Sequence, residues 1–275
     1  MAMLFTTPLT TAHPVSAAAN PRTGMVRVPA GSYLPLYADR SVDSQGQNPA
    51  VPRTVMRRVA VPAFDMDKHA VTNGEFLEFL RTHPEWQRSR VSRLFADTSY
   101  LRHWQGDLEL GVQAPADSPV VNVSWFAARA YLKAVGKQLP TVDQWEYAAA
   151  ANETRRDASR DPAFLERIRQ WYGHPTATPL PAVGSTFRNV YGVYDLHGLV
   201  WEWTLDFNSS LVTGESRSDS ALERSLFCGS DAVRASDFED YGAFMRYAFR
   251  SSVEAQYAVA NLGFRGVARV PEITR

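Results

Sequence analysis

The stretch Asn189-Val-Tyr-Gly-Val-Tyr-Asp-Leu-His-Gly-Leu-Val-Trp-Glu-Trp203 decides how the rest of the chain is read. Tyr191, Tyr194, Trp201 and Trp203 are more large rings than a surface loop carries, which predicts a buried segment. Asp195 and Glu202 are its only acids, and Gly198 between them permits a sharp turn that can point carbonyls inward. Two carboxylates with inward carbonyls make a hard-oxygen site, suited to calcium rather than zinc or copper. The plainer alternative gives Asp195 a turn-capping role and pairs Glu202 with a core arginine.

Working outward, the chain has 275 residues, enough for one large or two small domains. A hydrophobic content of 45% and an aromatic content of 12% supply a packed core. The 29 basic and 29 acidic residues balance. No basic tract with interleaved aromatics is present, so nucleic-acid binding has no support. No apolar run approaches the roughly 18–20 residues of a membrane span. Residues 1–23 are expected to be a disordered leader or a signal-peptide remnant, since their Pro-Val-Ser-Ala-Ala-Ala end is small and apolar but no basic n-region precedes it. An exported or periplasmic protein is the expectation, with a cytoplasmic one as the alternative. The single cysteine, Cys228, rules out an internal disulfide.

Periodicity predicts strands over 26–33 and 55–64, with a polar loop between them at 38–52. Phe76, Leu77, Phe79 and Leu80 recur at helical spacing behind Thr72 as N-cap. Ser124 caps a second helix ended by Gly136, and Thr141-x-x-Gln144 opens a third with capping-box spacing, Trp145, Ala148 and Ala149 facing inward. Residues 152–170 read as an exposed helix or loop. Beyond residue 171 the chain reads as irregular backbone with short strands.

The opening stretch resembles the N-x-[FY]-G-[LV]-Y-D-[ML]-x-G-N-V-W-E-W signature of the formylglycine-generating enzyme, or sulfatase-modifying factor, family. Other blocks agree in order. They are Gly24-Met-Val-Arg-Val-Pro-Ala-Gly-Ser-Tyr33, Phe64-Asp-Met-Asp-Lys-His-Ala-Val-Thr-Asn-Gly-Glu-Phe76, Pro119-Val-Val-Asn-Val-Ser-Trp125, Leu139-Pro-Thr-Val-Asp-Gln-Trp-Glu-Tyr-Ala148 and Asn261-Leu-Gly-Phe-Arg265. The resemblance implies an α+β, C-type-lectin-like fold: a small twisted antiparallel sheet, flanking helices and much irregular loop. One such domain would fill 24–270, leaving 271–275 as a tail. Calcium organising those long loops is a further expectation.

Carried over residue by residue, a calcium site of that family falls on Asp195, the carbonyls of Gly198 and Val200, and Glu202. Asp195 stands where the family has Asn, and Leu199 replaces the Asn of G-N-V-W-E-W. The segment that would carry another calcium is missing between Trp171-Tyr-Gly-His-Pro and Val183-Gly-Ser185, so one ion is implied.

The family's chemistry depends on two cysteines that bind copper(I), a soft ion that requires thiolate. The same alignment puts Gly242 and Tyr247 at those positions, and neither binds copper(I). Cys228 lies upstream, in place of a glycine, and reads as a small buried hydrophobe. An iron route, as in the ergothioneine-type sulfoxide synthases, lacks its H-x-x-x-H-x-E histidines. Neither copper nor iron is supported.

An altered groove remains, with Trp201, Cys228, Glu239, Tyr241, Arg246, Tyr247 and Arg250 as its candidate lining. On a helix Arg246 and Arg250 would share a face and could grip a carboxylate or peptide backbone. Alternatively they pair with Glu239 and Asp240 and tie the loop down. Phe227-Cys-Gly-Ser230, residues 240–250 and the insertion from His83-Pro-Glu-Trp86 to Leu94-Phe-Ala-Asp97 are similar to the NirV branch found beside copper nitrite reductases. That likeness implies a non-catalytic accessory or maturation factor in denitrification, holding a peptide or a partner protein such as a copper enzyme being matured. The competing class is a metal-dependent oxidase or protein-modifying enzyme with a rebuilt metal site.

Overall fold

The computed structural model describes residues 22–36, 58–208 and 241–270. The expected loop over 38–52, the expected leader, the tail, and Cys228, Asp231, Arg234, Asp237, Glu239 and Asp240 lie outside the described residues.

The architecture is α+β, built on small sheets. Strands β1 (Met25–Val28), β4 (Phe64–Asp67) and β7 (Val267–Arg269) form a three-stranded antiparallel sheet in the order β1-β4-β7. Val28 pairs with Phe64, and Phe64 pairs with Arg269, so the two ends of the domain meet across one strand. Strands β2 (Gly31–Tyr33) and β3 (Val59–Val61) form a separate antiparallel pair. The expected single strand over 26–33 is thus two strands in two sheets. Pro29, which has no N–H for a ladder, follows β1 directly. Pro62 separates β3 from β4 in the same way, and the second strand runs on to Asp67.

Helices α1 (Asn73–Thr82), α2 (Trp125–Ala134) and α3 (Val142–Ala149) start where their caps predict. Thr72 and Glu75 form a full capping box, as do Thr141 and Gln144, while the Ser124 hydroxyl accepts from the Ala127 N–H. Helix α4 (Pro162–Gly173) resolves the helix-or-loop choice made for 152–170, with Asp161 capping and Pro162 in the first turn. Phe164 and Ile168 are its buried residues.

Two findings differ from the sequence reading beyond residue 171. Strands β5 (Trp201–Glu202) and β6 (Leu262–Gly263) make a short parallel pair. Residues 241–252, in a stretch read as irregular with short strands but with a helix left open at Arg246 and Arg250, form helix α5 (Tyr241–Ser252). Its inward positions are Gly242, Ala243, Arg246, Tyr247 and Arg250. Two arginines on the buried face disguise the apolar stripe that periodicity detects.

The largest apolar cluster packs α1 and α2 around Phe76, Trp104, Tyr131, Trp203 and Phe264. A second joins the sheet to α3 through Val28, Phe64, Met66, Trp145 and Leu196. The Asn189–Trp203 stretch runs between these clusters and ties them together. Among the described residues no helix is long and apolar enough to cross a membrane.

Candidate functional site

Asn189 begins the site by fixing the backbone. Its buried amide donates to the Ala148 carbonyl at the end of α3, 2.9 Å away. Its side-chain oxygen accepts from Tyr191 and Val193 N–H, each at 3.1 Å. Asp195 then sits at φ 60°, a left-handed conformation that Asp tolerates better than most residues. Gly198 follows at φ 98°, and a Cβ there would lie 3.0 Å from the Thr186 Cγ2. The turn therefore needs glycine twice over, for its dihedral and for its space. Leu199, where the family has Asn, is buried among Ala70, Val121 and Val200, so an apolar pocket has replaced a polar one.

Both acids of this turn have protein partners. The Asp195 carboxylate accepts from the Thr186 N–H at 2.9 Å, from the Thr186 hydroxyl at 2.8 Å, and from the Gly184 N–H. Glu202 accepts from Arg265 Nε at 2.8 and 3.0 Å, from Arg265 Nη2 at 2.7 Å, and from Trp145 Nε1 at 2.8 Å. Arg265 is fully buried and also donates to the carbonyls of Asp67, Lys68 and Tyr194. This is the geometry of the plainer alternative, a capped turn with a core ion pair. Among the described residues, however, no hydrogen bond reaches the carbonyl of Gly198 or Val200. Val200 is 1% exposed, so its carbonyl is a buried acceptor with capacity for a hard cation. These carbonyls and Asp195 offer only oxygen donors, the type calcium takes, although Asp195 already accepts from Gly184 and Thr186. An ion at Glu202 would share that carboxylate with Arg265.

The groove candidates fall into two groups. Trp201 and Tyr241 belong to an aromatic wall with Trp171, Tyr172 and Phe249. Trp201 stacks on Phe249 with centroids 4.6 Å apart and lies 5.1 Å from Tyr172 and 5.6 Å from Trp171. Tyr241 meets Tyr172 edge-on at 6.5 Å.

Arg246, Tyr247 and Arg250 form the second group. Consecutive turns of α5 place both guanidiniums on Glu146 of α3. Arg246 donates to it from Nε at 3.0 and 3.1 Å and from Nη2 at 2.7 Å, and Arg250 Nη1 donates at 2.6 Å. Both cations also stand over the Trp145 ring, at 5.4 and 5.0 Å. The carboxylate they both grip thus belongs to the protein itself, in α3, while the loop acids at 239 and 240 lie outside the described residues. Burial alone would raise the Glu146 pKa, but the two guanidiniums overrule it and hold the carboxyl down to about 2.

Tyr247 is buried beside Leu36 and Val142, and burial pushes its phenol up. Gly242 is packed so closely that a Cβ would lie 2.7 Å from Ile168 Cγ2 and 3.4 Å from Tyr172 Cε2. The Tyr172 hydroxyl donates to the Gly242 carbonyl at 3.2 Å, sealing the approach. Position 242 has no room for a cysteine.

The slot between the aromatic wall and the two arginines holds only about 10 Å³, room for one water at most. A larger cavity of about 360 Å³ lies on the other side of Arg246, between Tyr33, Ala149, Phe164, Ile168 and His197. His197 is neutral there: burial and Arg246 bring its pKa down to about 3, and Nε2 lies 2.9 Å from the Ala149 carbonyl. Sequence reading missed Glu146, Trp171, Tyr172 and Phe249. The signal for Glu146 was present, an acid inside a helix whose other residues from Trp145 to Ala149 are apolar or aromatic.

Comparison with known proteins finds relatives that span nearly the whole chain. The sulfatase-modifying factor enzyme 1-like domain matches residues 10–270. A formylglycine-generating enzyme from Streptomyces coelicolor is 30% identical over 96% of this chain and 96% of its own length. The enzyme of that name from Bos taurus is 28% identical over 90% of this chain and 75% of its own. A Bos taurus relative named inactive C-alpha-formylglycine-generating enzyme 2 is 29% identical over 66% of this chain and 69% of its own. Among solved structures, PvdO from Pseudomonas aeruginosa is similar at 20% identity over 90% of this chain and 94% of its own, with a TM-score of 0.46.

Proposed function

We propose that this chain, which belongs to the sulfatase-modifying factor enzyme 1-like family, is a non-catalytic accessory factor that binds a peptide or partner protein. One observation carries the reading: at the two positions where the resemblance puts the family's copper-binding cysteines, this chain has a close-packed glycine and a buried tyrosine. A Cβ at 242 would strike Ile168 at 2.7 Å. Copper(I) would find no thiolate at 242 or 247, and the space around those positions is held by the Glu146 ion cluster. The likeness to the branch beside copper nitrite reductases supports a partner of that class, an exported copper enzyme being matured.

A direct test offers the purified protein a Cys-x-Pro-x-Arg peptide with copper(I) and oxygen and monitors aldehyde by mass spectrometry. No aldehyde and no stoichiometric copper are expected. Turnover, or copper bound one to one, would overturn the assignment. Calcium at Asp195, Gly198, Val200 and Glu202 belongs to the same proposal. These groups would hold it, and its chemistry there is to order the turn and screen the two acids. Chelation should lower the melting temperature, because an ion that binds only the native state stabilises it. An unchanged melt with a strong chelator sinks the calcium assignment.

A further inference from the structure

At the outer margin of the α1–α2 core cluster, side chains that the groove does not use form a continuous strip. Leu94 is 76% exposed and Phe95 44% exposed. The Phe95 ring meets Phe126 edge-on at 5.4 Å and lies 6.0 Å from Trp86. Phe126 meets Trp125 at 5.5 Å, and the Arg129 guanidinium covers Trp125 at 4.4 Å. Contact therefore runs from Trp86 through Phe95, Phe126 and Trp125 to Arg129, with Leu94 projecting beside it.

The backbone below is well tied. Tyr100 Oη donates to the Trp86 carbonyl at 3.0 Å, Asp97 N–H to Gln256 at 2.9 Å, and Trp125 N–H to Ala255 at 3.0 Å. Phe95 and Ala96 N–H both close on the Ser92 carbonyl, at 2.9 and 3.1 Å. Two large apolar side chains are thus presented to water on a fixed support, which folding alone does not require.

The charged frame of the strip is basic. Arg90 and Arg93 precede Leu94 in sequence, Arg129 and Lys133 lie on α2, and all four are exposed. Asp97 turns inward to accept from Ser99 and Ala258 N–H. Exposed acids in the same segments are Glu85 and Glu254, fewer than the cations.

We propose that this strip is a docking surface for an acidic, apolar segment of a partner protein, with Leu94 and Phe95 as the anchors. Tryptophan, phenylalanine and arginine are the residue types that dominate binding at protein interfaces. The basic frame would steer and orient a segment rich in Asp and Glu. A second copy of this chain is a poorer occupant, because a two-fold contact brings the same arginines face to face. A membrane is poorer too, since two projecting side chains are far less than an amphipathic anchor helix buries. The proposal stands apart from the groove reading and survives its failure.

The test titrates the full-length protein with a labelled peptide alternating Leu and Phe with Asp and Glu, and with a counterpart carrying Lys for the acids. Anisotropy should show binding of the acidic peptide alone. The double substitution Leu94→Ser/Phe95→Ser should weaken it at least tenfold, and Arg93→Glu should weaken it several-fold with a shallower salt dependence. Trp201→Ala, in the groove, should leave it unchanged. Leu94 is solvent-facing, so an unchanged thermal melt shows that the variants fold. Equal binding of the lysine peptide, or full binding by the double variant, would overturn the proposal. So would a wild-type dimer in light scattering that the double variant disperses, or sedimentation with phosphatidylserine vesicles that it abolishes, because each gives the strip to another occupant.

Discussion

Glu202 and Glu146 are both buried against arginine, yet their partners come from different parts of the fold. Glu202 belongs to a stretch that matches the family pattern, and it faces Arg265, from another matching block. Glu146 also lies in a matching block, but its partners Arg246 and Arg250 come from α5, where the resemblance puts Gly242 and Tyr247 at the family's cysteine positions. One carboxylate answers one guanidinium in the first case and two in the second. The contrast separates a single ion pair within the scaffold from a shared one that ties α5 to α3. Isolated buried charges are costly, so each cluster persists only while its partners are complete.

The sharpest way to break this contrast is Glu146→Ala, which leaves two guanidiniums without their shared carboxylate. Unfolding free energy from urea melts should fall by about 3–5 kcal/mol. A loss below about 1 kcal/mol would mean that water reaches the cluster and that the floor is not sealed. Acid titration examines the same residue. Its folded pKa, about 2, lies below the ordinary 4.5, so its stabilisation is full above pH 4.5 and disappears as pH falls toward 2. Glu146→Gln should remove that part of the acid limb. His197, lowered from 6.5 to about 3, acts over an earlier window. Its neutral native form is favoured above pH 6.5, and that advantage declines as pH falls to 3 because the unfolded ring gains a proton. His197→Gln should flatten that limb alone.

Glu202→Gln should cost less than Glu146→Ala, about 3 kcal/mol, because one guanidinium is stranded and the amide oxygen still accepts. An equal or larger loss would make the matching turn the more highly charged region and reverse the comparison. The smallest expected effect is Gly242→Cys, at about 1–3 kcal/mol for overpacking against Ile168. Ile168→Ala in the same chain should recover part of it. If Gly242→Cys is silent, position 242 is roomier than its 2.7 Å contact implies.

Much of the fold was legible because the signals are local. Thr72, Ser124 and Thr141 announce helix starts through side-chain bonds spanning three residues. Proline at 29 and 62 could have divided the strands, since a missing N–H is also local, but apolar alternation masked it. Helix α5 escaped because Arg246 and Arg250 occupy inward positions, where periodicity expects apolar residues. Trp201 was placed in the groove from the family pattern, whereas its stacking partner Phe249 lies in α5 and became visible only when that helix docked.

The sequence by itself determined the family, the helix starts, the glycine turn and the absence of cysteine at 242 and 247. Each depends on residue identity at one position or a few neighbouring ones. Only the tertiary structure decided which charge meets which: Glu146 and Arg246 are 100 residues apart, and Glu202 and Arg265 are 63 apart. A carboxylate's partner is chosen by distance and burial after packing, and in a chain with 29 acids and 29 bases composition leaves that choice open.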